Sequence, residues 1–102
     1  MLKARQKIRI RNKMMKERPT INIGKRGLTS SIVEEVIKQL RLHEMVKIKS
    51  LNLPLQDESQ RALIEDLSKR TRSSIVEIRG NTLILYSSKK QQRQSAAEEQ
   101  GK

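Results

Sequence analysis

Two glycines bracket a Lys-Arg pair at Gly24-Lys25-Arg26-Gly27, between a β-branched run at 20–23, TINI, and a run of helical character from Thr29. These residue types in this order can hold an anion. A helix N-terminus offers unpaired N–H groups and the positive end of the helix dipole. Glycine lets the backbone approach a ligand closely and turn through positive φ, and Lys25 and Arg26 place two charges at the tip. The phosphate groups of a nucleic-acid backbone match all three. The competing reading is a tight strand-to-helix turn whose charges are only solvated, and the local pattern leaves both open.

Other chemistries find less to work with. A P-loop needs Gly-x-x-x-x-Gly-Lys-Ser/Thr and a dinucleotide site Gly-x-Gly-x-x-Gly, and neither spacing occurs. KH domains use a Gly-x-x-Gly loop, but between two helices, whereas this one follows a strand. There is no cysteine, and His43 is the sole histidine. That excludes disulfides and thiolate metal sites, and it leaves a zinc site or a histidine-based triad almost without ligands. His43 sits where a helix gives way to a strand, a position favoured by the negative end of the dipole. Glu34, Glu35, Glu65 and Asp66 fall in helical runs with no supporting nucleophile. The expectation is no enzyme, no cofactor and no metal. Tyr86 is the only aromatic residue, so recognition by stacking several bases, as in RRM sheets, is excluded. Binding must rest on charge, shape and hydrogen bonds.

Charge is the strongest global signal. The 102 residues carry 23 Lys and Arg against 11 Asp and Glu, a net charge of +12, and such a field favours polyanions. Residues 1–18 hold eight basic residues against one acid, Lys3, Arg5, Lys7, Arg9, Arg11 and Lys13 among them, whereas 51–88 balance at five each. No apolar run approaches the roughly 20 residues needed to span a bilayer, and the basic N-terminus lacks the apolar stretch of a secretory signal. A soluble, cytoplasmic protein is expected, of one domain over 1–88.

The elements that must position the loop follow from periodicity. Residues 3–17 contain good helix formers, with Ala4, Ile8 and Met15 near one face, although IRIR within them also fits a strand. Pro19 ends the segment. TINI reads as a strand. From Thr29 to Glu44, Ile32, Val33, Val36, Ile37 and Leu40 recur at helical spacing, capped by Thr29 or by a Ser31-x-x-Glu34 box. MVKIKSL at 45–51 alternates, with Val46 and Ile48 on one face and Lys47 and Lys49 on the other. Residues 57–71 read as a second core helix burying Leu63, Ile64 and Leu67. SIVEIR and TLILYS, joined by Gly80-Asn81, make a hairpin. The tail from 89 to 102 has no apolar period and is expected to be disordered. The order α-β-α-β-α-β-β, with parallel crossovers and a final antiparallel strand, predicts a two-layer α/β domain. Helices are expected on one sheet face, because Lys47, Lys49, Glu77 and Arg79 mark the other as wet.

The segment IGKRGLTSSIVEEVIKQLRLHEMVKIK at 23–49, followed by IVEIRGNTLILY at 75–86, resembles the CRM domain, the chloroplast RNA splicing and ribosome maturation domain, over roughly residues 5–87. The resemblance implies the fold of the C-terminal domain of translation initiation factor 3, with a four-stranded mixed sheet in the order 1-2-4-3 and strand 4 antiparallel. It also implies RNA binding centred on the loop and neighbouring basic surface. On this basis Gly24, Lys25, Arg26, Gly27, Thr29, Lys47 and Lys49 are candidate RNA contacts, with Lys3, Arg5, Lys7, Arg9, Arg11 and Lys13 of the basic N-terminal segment. Three positions depart from the family pattern: Lys13-Met14-Met15 replaces Leu-Ala-His, Thr71-Arg72 replaces Thr-Gly, and Ser87 stands where Arg often follows the final Tyr.

The function this predicts is that of a monomeric, non-enzymatic RNA-binding protein contacting ribosomal RNA during large-subunit assembly. Two alternatives are an Alba-like nucleoid protein that binds duplex DNA, and a permanent structural protein of the ribosome.

Overall fold

Apolar residues at helical spacing produce the principal helix, α2, at Ser30–His43, and the alternating segments around it produce the sheet. The computed structural model describes residues 3–52, 54–89 and 92. Its elements run α1 at Ala4–Met15, β1 at Ile21–Ile23, α2, β2 at Met45–Ser50, a 3-10 turn at Glu58–Gln60, α3 at Arg61–Thr71, β3 at Ser74–Arg79 and β4 at Thr82–Tyr86. The predicted order of elements is observed. Strands line up as β1-β2-β4-β3. β1 pairs parallel with β2, with Ile21 opposite Ile48, while β4 runs antiparallel to both β2 and β3. A register irregularity lies between Ile75 and Glu77.

Local chemistry sets the ends of these elements. Thr29 caps α2, its hydroxyl accepting from Ile32 N–H at 3.2 Å. Asp57 caps the 3-10 turn by accepting from the N–H and hydroxyl of Ser59 at 2.9 and 2.8 Å. These bonds, the backbone one foremost, hold the Asp57 carboxyl below the usual aspartate range. The stabilisation they confer is present above the unfolded-state pKa and is lost as pH falls through the folded one. At the C-terminal ends, Glu44 and Arg72 take φ of 65° and 54°. Position 72 is where the family pattern has glycine, and a left-handed Arg there costs about 1–2 kcal/mol.

The main core lies between the sheet and the α2–α3 pair. Val36, Leu40, Val46, Ile48, Ile64, Leu67, Leu83 and Leu85 are essentially inaccessible to solvent. Each such side chain contributes roughly 1.5–3 kcal/mol.

A second cluster corrects the expectation that helices cover one face only. Ile10 and Met14 of α1 pack on Ile84, with Met45, Val76 and Tyr86 around them, on the sheet face opposite α2 and α3. The face of α1 that is buried is therefore not the one expected: Ile8 and Met15 remain 50% and 38% exposed. Both faces of β4 need cover, because Leu83, Ile84 and Leu85 are three apolar residues in a row, and one helical layer can bury only alternate positions. That run was the available sequence signal. Met14, one of the three positions that depart from the resemblance, is 7% exposed and belongs to this cluster.

Burial of the second face reassigns Lys47. Its side chain passes beneath α1, and its ammonium donates to the carbonyl oxygens of Glu17 at 2.9 Å and Met15 at 3.3 Å. Those carbonyls lie at the C-terminal end of α1, where intrahelical partners run out and the dipole is negative. Lys47 is 8% exposed and ties helix to strand, whereas Lys49, two residues on, is exposed. Lys47→Ala is expected to lower the unfolding free energy by about 1.5–3 kcal/mol, the scale of a hydrogen bond to a charged group. Lys49→Ala should change it by less than about 0.5 kcal/mol. Urea titrations of the two variants check this; equal effects would mean that Lys47 is as solvated as Lys49.

Candidate nucleic-acid interface

The loop that opens α2 is a hydrogen-bonded turn. Gly27 N–H donates to the Gly24 carbonyl at 3.0 Å, so Lys25 and Arg26 occupy the two central corners, and both are exposed. Gly27 takes φ of 67°, which turns the chain from the corner into the helix. Leu28 packs against the main core and anchors the far side. The hydroxyl and carbonyl of Thr29 satisfy the N–H groups of Ile32 and Val33. Those of Ser30 and Ser31 have no acceptor among the described residues. The loop thus carries two exposed cations just ahead of two unpaired N–H donors at the start of α2. The Thr29 hydroxyl shapes the helix entry through one lone pair, and its O–H still has a donor to offer.

The loop is held at one end of the sheet by its neighbours. Leu51 N–H donates to the carbonyl of Ile23 at 2.8 Å, and Ser50 N–H donates to that of Asn81 at 2.7 Å. The end of β1, the end of β2 and the β3–β4 turn therefore meet beside Gly24. An extra Cβ on Gly24 or Gly27 would meet nothing within 4 Å, so the space in front of both glycines is open to a ligand.

The remaining candidates are spread unevenly. Arg5, Lys7, Arg9 and Lys13 are exposed on α1, and Lys3 is exposed at its N-cap, with Arg5, Arg9 and Lys13 in steps of four along one face of that helix. Arg11 is half-buried and pairs with Glu77 at 3.4 Å, so it serves to hold α1 against β3. Lys49 is exposed beside the loop end of β1, opposite Asn22. Lys47 is withdrawn beneath α1, and its candidacy as a surface contact is corrected: the alternation of β2 places it on the face that α1 covers. Ser87 is fully buried, its hydroxyl donating to the Arg72 carbonyl at 2.9 Å. Position 87 is thus a joint between α3 and β4 in this chain.

Tyr86 packs against the α1 cluster. Desolvation, with the Glu44 carboxylate adding to it, pushes its phenol above the ordinary range. His43 ends α2 and is exposed. Among the described residues no group of three His, Cys, Asp or Glu side chains could hold a metal ion, and no helix is long and apolar enough to cross a membrane. At the start of the tail, Lys89 N–H donates to the Glu44 carboxylate at 3.1 Å, and the Gln92 amide donates to the carbonyls of Leu40 and Ser87, both at 2.9 Å. The disorder expected from 89 onward thus meets two residues that bond to the domain; the rest of that segment lies outside the described residues.

Comparison with known proteins matches the family model of the CRS1/YhbY (CRM) domain to residues 2–87. Probable RNA-binding protein YqeI of Bacillus subtilis (strain 168) is 31% identical over 94 residues, covering 92% of this chain and 96% of that protein. Probable RNA-binding protein PA4753 of Pseudomonas aeruginosa is 32% identical over 69 residues, 68% of this chain and 64% of that one. The solution structure of the hypothetical protein SAV1595 from Staphylococcus aureus superposes with a TM-score of 0.73 at 28% identity, covering 86% of this chain and 90% of that chain.

The turn geometry separates the two glycines. Gly27→Ala forces a Cβ into the left-handed region and is expected to cost about 1–2 kcal/mol of stability. Gly24 lacks a positive φ, so Gly24→Ala should lie within about 0.5 kcal/mol of the parent or gain slightly. Chemical denaturation of the pair distinguishes them.

Proposed function

This chain belongs to the CRS1/YhbY (CRM) domain family, and from that premise we propose that it binds RNA through the phosphate backbone, with the Gly24–Gly27 turn as the principal contact. The observation that carries the reading is the turn itself: Lys25 and Arg26 exposed on its corners, ahead of free N–H groups at the mouth of α2. Arg5, Arg9 and Lys13 add exposed positive charge on α1, and Lys13 lies near the opposite end of α2, beside Gln39 and His43. Relatives that share most of this chain are named as RNA-binding proteins, and the net charge of +12 fits the same partner.

The more specific reading is that the RNA is ribosomal and that the protein acts as a monomer on precursors of the large subunit. Three features favour structured RNA of that kind. The contacts available are cations and hydrogen-bond donors, with Tyr86 as the sole aromatic, and this suits recognition of backbone shape better than of a base sequence. The reading assigns the chain no reaction and no cofactor; its role is to hold or order RNA. Crosslinking in cells, followed by sequencing of the bound RNA and sedimentation of ribosomal particles, tests it. Recovery on messenger RNA alone, or in constant proportion to mature subunits, would overturn the assembly role.

Two outcomes are expected in vitro. RNA affinity should fall steeply with salt: about five neutralised phosphates give a log–log slope near −4. Replacing Lys25 and Arg26 together by alanine should weaken binding by about 1–3 kcal/mol, the scale of two charge-assisted contacts, with the thermal transition unchanged. Fluorescence anisotropy with a fragment of ribosomal RNA measures both. A slope shallower than about −1, or undiminished affinity in the folded double variant, would leave the loop as only a turn.

A further inference from the structure

The strand register aligns four side chains into a row that continues from the loop. Asn22 lies opposite Lys49, Lys49 opposite Thr82, and Thr82 opposite Arg79. Residues in register point to the same face of a sheet. Here that face is the one carrying α1, because Ile84 and Glu77, each two residues away along its strand, meet Met14 or Arg11 there. α1 covers the preceding row, Lys47, Ile84 and Glu77, and stops short of this one. Asn22, Lys49 and Arg79 are exposed and Thr82 is half-exposed. Neither Lys49 nor Arg79 has an acidic partner among the described residues.

The row spans three inter-strand spacings, about 14 Å in all. At its β1 end the chain runs straight from Asn22 through Ile23 into Gly24. At its β3 end Arg79 lines a groove of about 760 Å³ between α1 and β3, with Asn12 and Lys16 on the opposite wall. The groove's acid, Glu77, is neutralised by Arg11.

We propose that this row is a second RNA subsite, occupied by the same single strand that the Gly24–Gly27 turn holds, and that the strand then enters the α1–β3 groove. The proposal rests on the RNA-binding reading above. Cations and neutral hydrogen-bonding groups alternate along the row, in the order Asn, Lys, Thr, Arg. Lys49 and Arg79 suit phosphates, each as a cation that neutralises one. The Asn22 amide and Thr82 hydroxyl can each donate and accept, which suits ribose 2′-hydroxyls and base edges. Such contacts suit a single-stranded segment of a structured RNA, whose 2′-hydroxyls and base edges are open to side chains.

The test uses the full chain and an oligouridylate of about 16 nucleotides, at the upper end of site sizes for small single-strand binders. In the Lys49→Ala/Arg79→Ala variant the salt slope should become shallower by about 1.4, at 0.7 per phosphate contact on a single strand. That corresponds to about 25-fold weaker binding at 0.1 M salt relative to a 1 M reference. Its melting temperature should match the parent, since both side chains are exposed. The charge-keeping Lys49→Arg/Arg79→Lys variant should bind close to the parent. If both variants bind like the parent while Lys25→Ala/Arg26→Ala weakens binding, the row is a solvated sheet edge and only the loop reading survives. If the charge-keeping variant is weakened as much as the alanine one, packing rather than charge is being read, and the subsite is overturned. If the parent chain binds neither the oligouridylate nor a ribosomal RNA fragment, the RNA reading fails and the row falls with it.

Discussion

Burial of both faces of β4 governs the arrangement of this domain. Leu83, Ile84 and Leu85 are each fully removed from water, and consecutive residues of a strand point in opposite directions. Two layers must therefore close on the sheet. α2 and α3 supply one; α1, through Ile10 and Met14, supplies the other. Placing β4 between β2 and β3 puts the strand with the greatest demand for cover at the centre, where both layers reach it.

The candidate nucleic-acid surface is a consequence of that closure. α1 is short, and it covers the sheet only as far as the row of Lys47, Ile84 and Glu77. Lys47, caught under the helix, spends its charge on the orphan carbonyls of Met15 and Glu17, and Arg11 spends its own on Glu77. The next row along the strands, with Lys49 and Arg79, stays open and abuts the Gly24–Gly27 turn. One helix therefore divides the basic residues into those that hold the fold and those that remain available to a polyanion. Net charge cannot make that division, because it counts both kinds alike.

The turn shows how a departure from regular structure is used. Gly27 is left-handed where the chain must leave β1 and enter α2 within a few residues, and the turn bond between Gly24 and Gly27 fixes Lys25 and Arg26 outward. The left-handed residues other than glycine among those described, Glu44 and Arg72, are helix ends. There the strain is absorbed by packing and capping: Ser87 bonds the Arg72 carbonyl from inside the core, and Glu44 holds Lys89 at the base of the tail.

Periodicity and turn chemistry were enough to determine the elements, their order, the hairpin at Gly80-Asn81, the α2–α3 core face and the outward-pointing loop. These are local properties: a 3.6-residue period, a two-residue alternation and a glycine at a sharp turn each act within a few neighbours. Tertiary structure alone decided which face of α1 is buried, because that helix carries apolar residues on two sides and only Ile10 and Met14 find Ile84. It likewise decided the fate of Lys47 against that of Lys49. Both are lysines on the same strand face with the same local pattern, and the edge of a helix 30 residues earlier in the chain falls between them. Strand register, set by pairings across the whole domain, then brought Asn22, Lys49, Thr82 and Arg79 into line, although they are scattered over more than half the sequence.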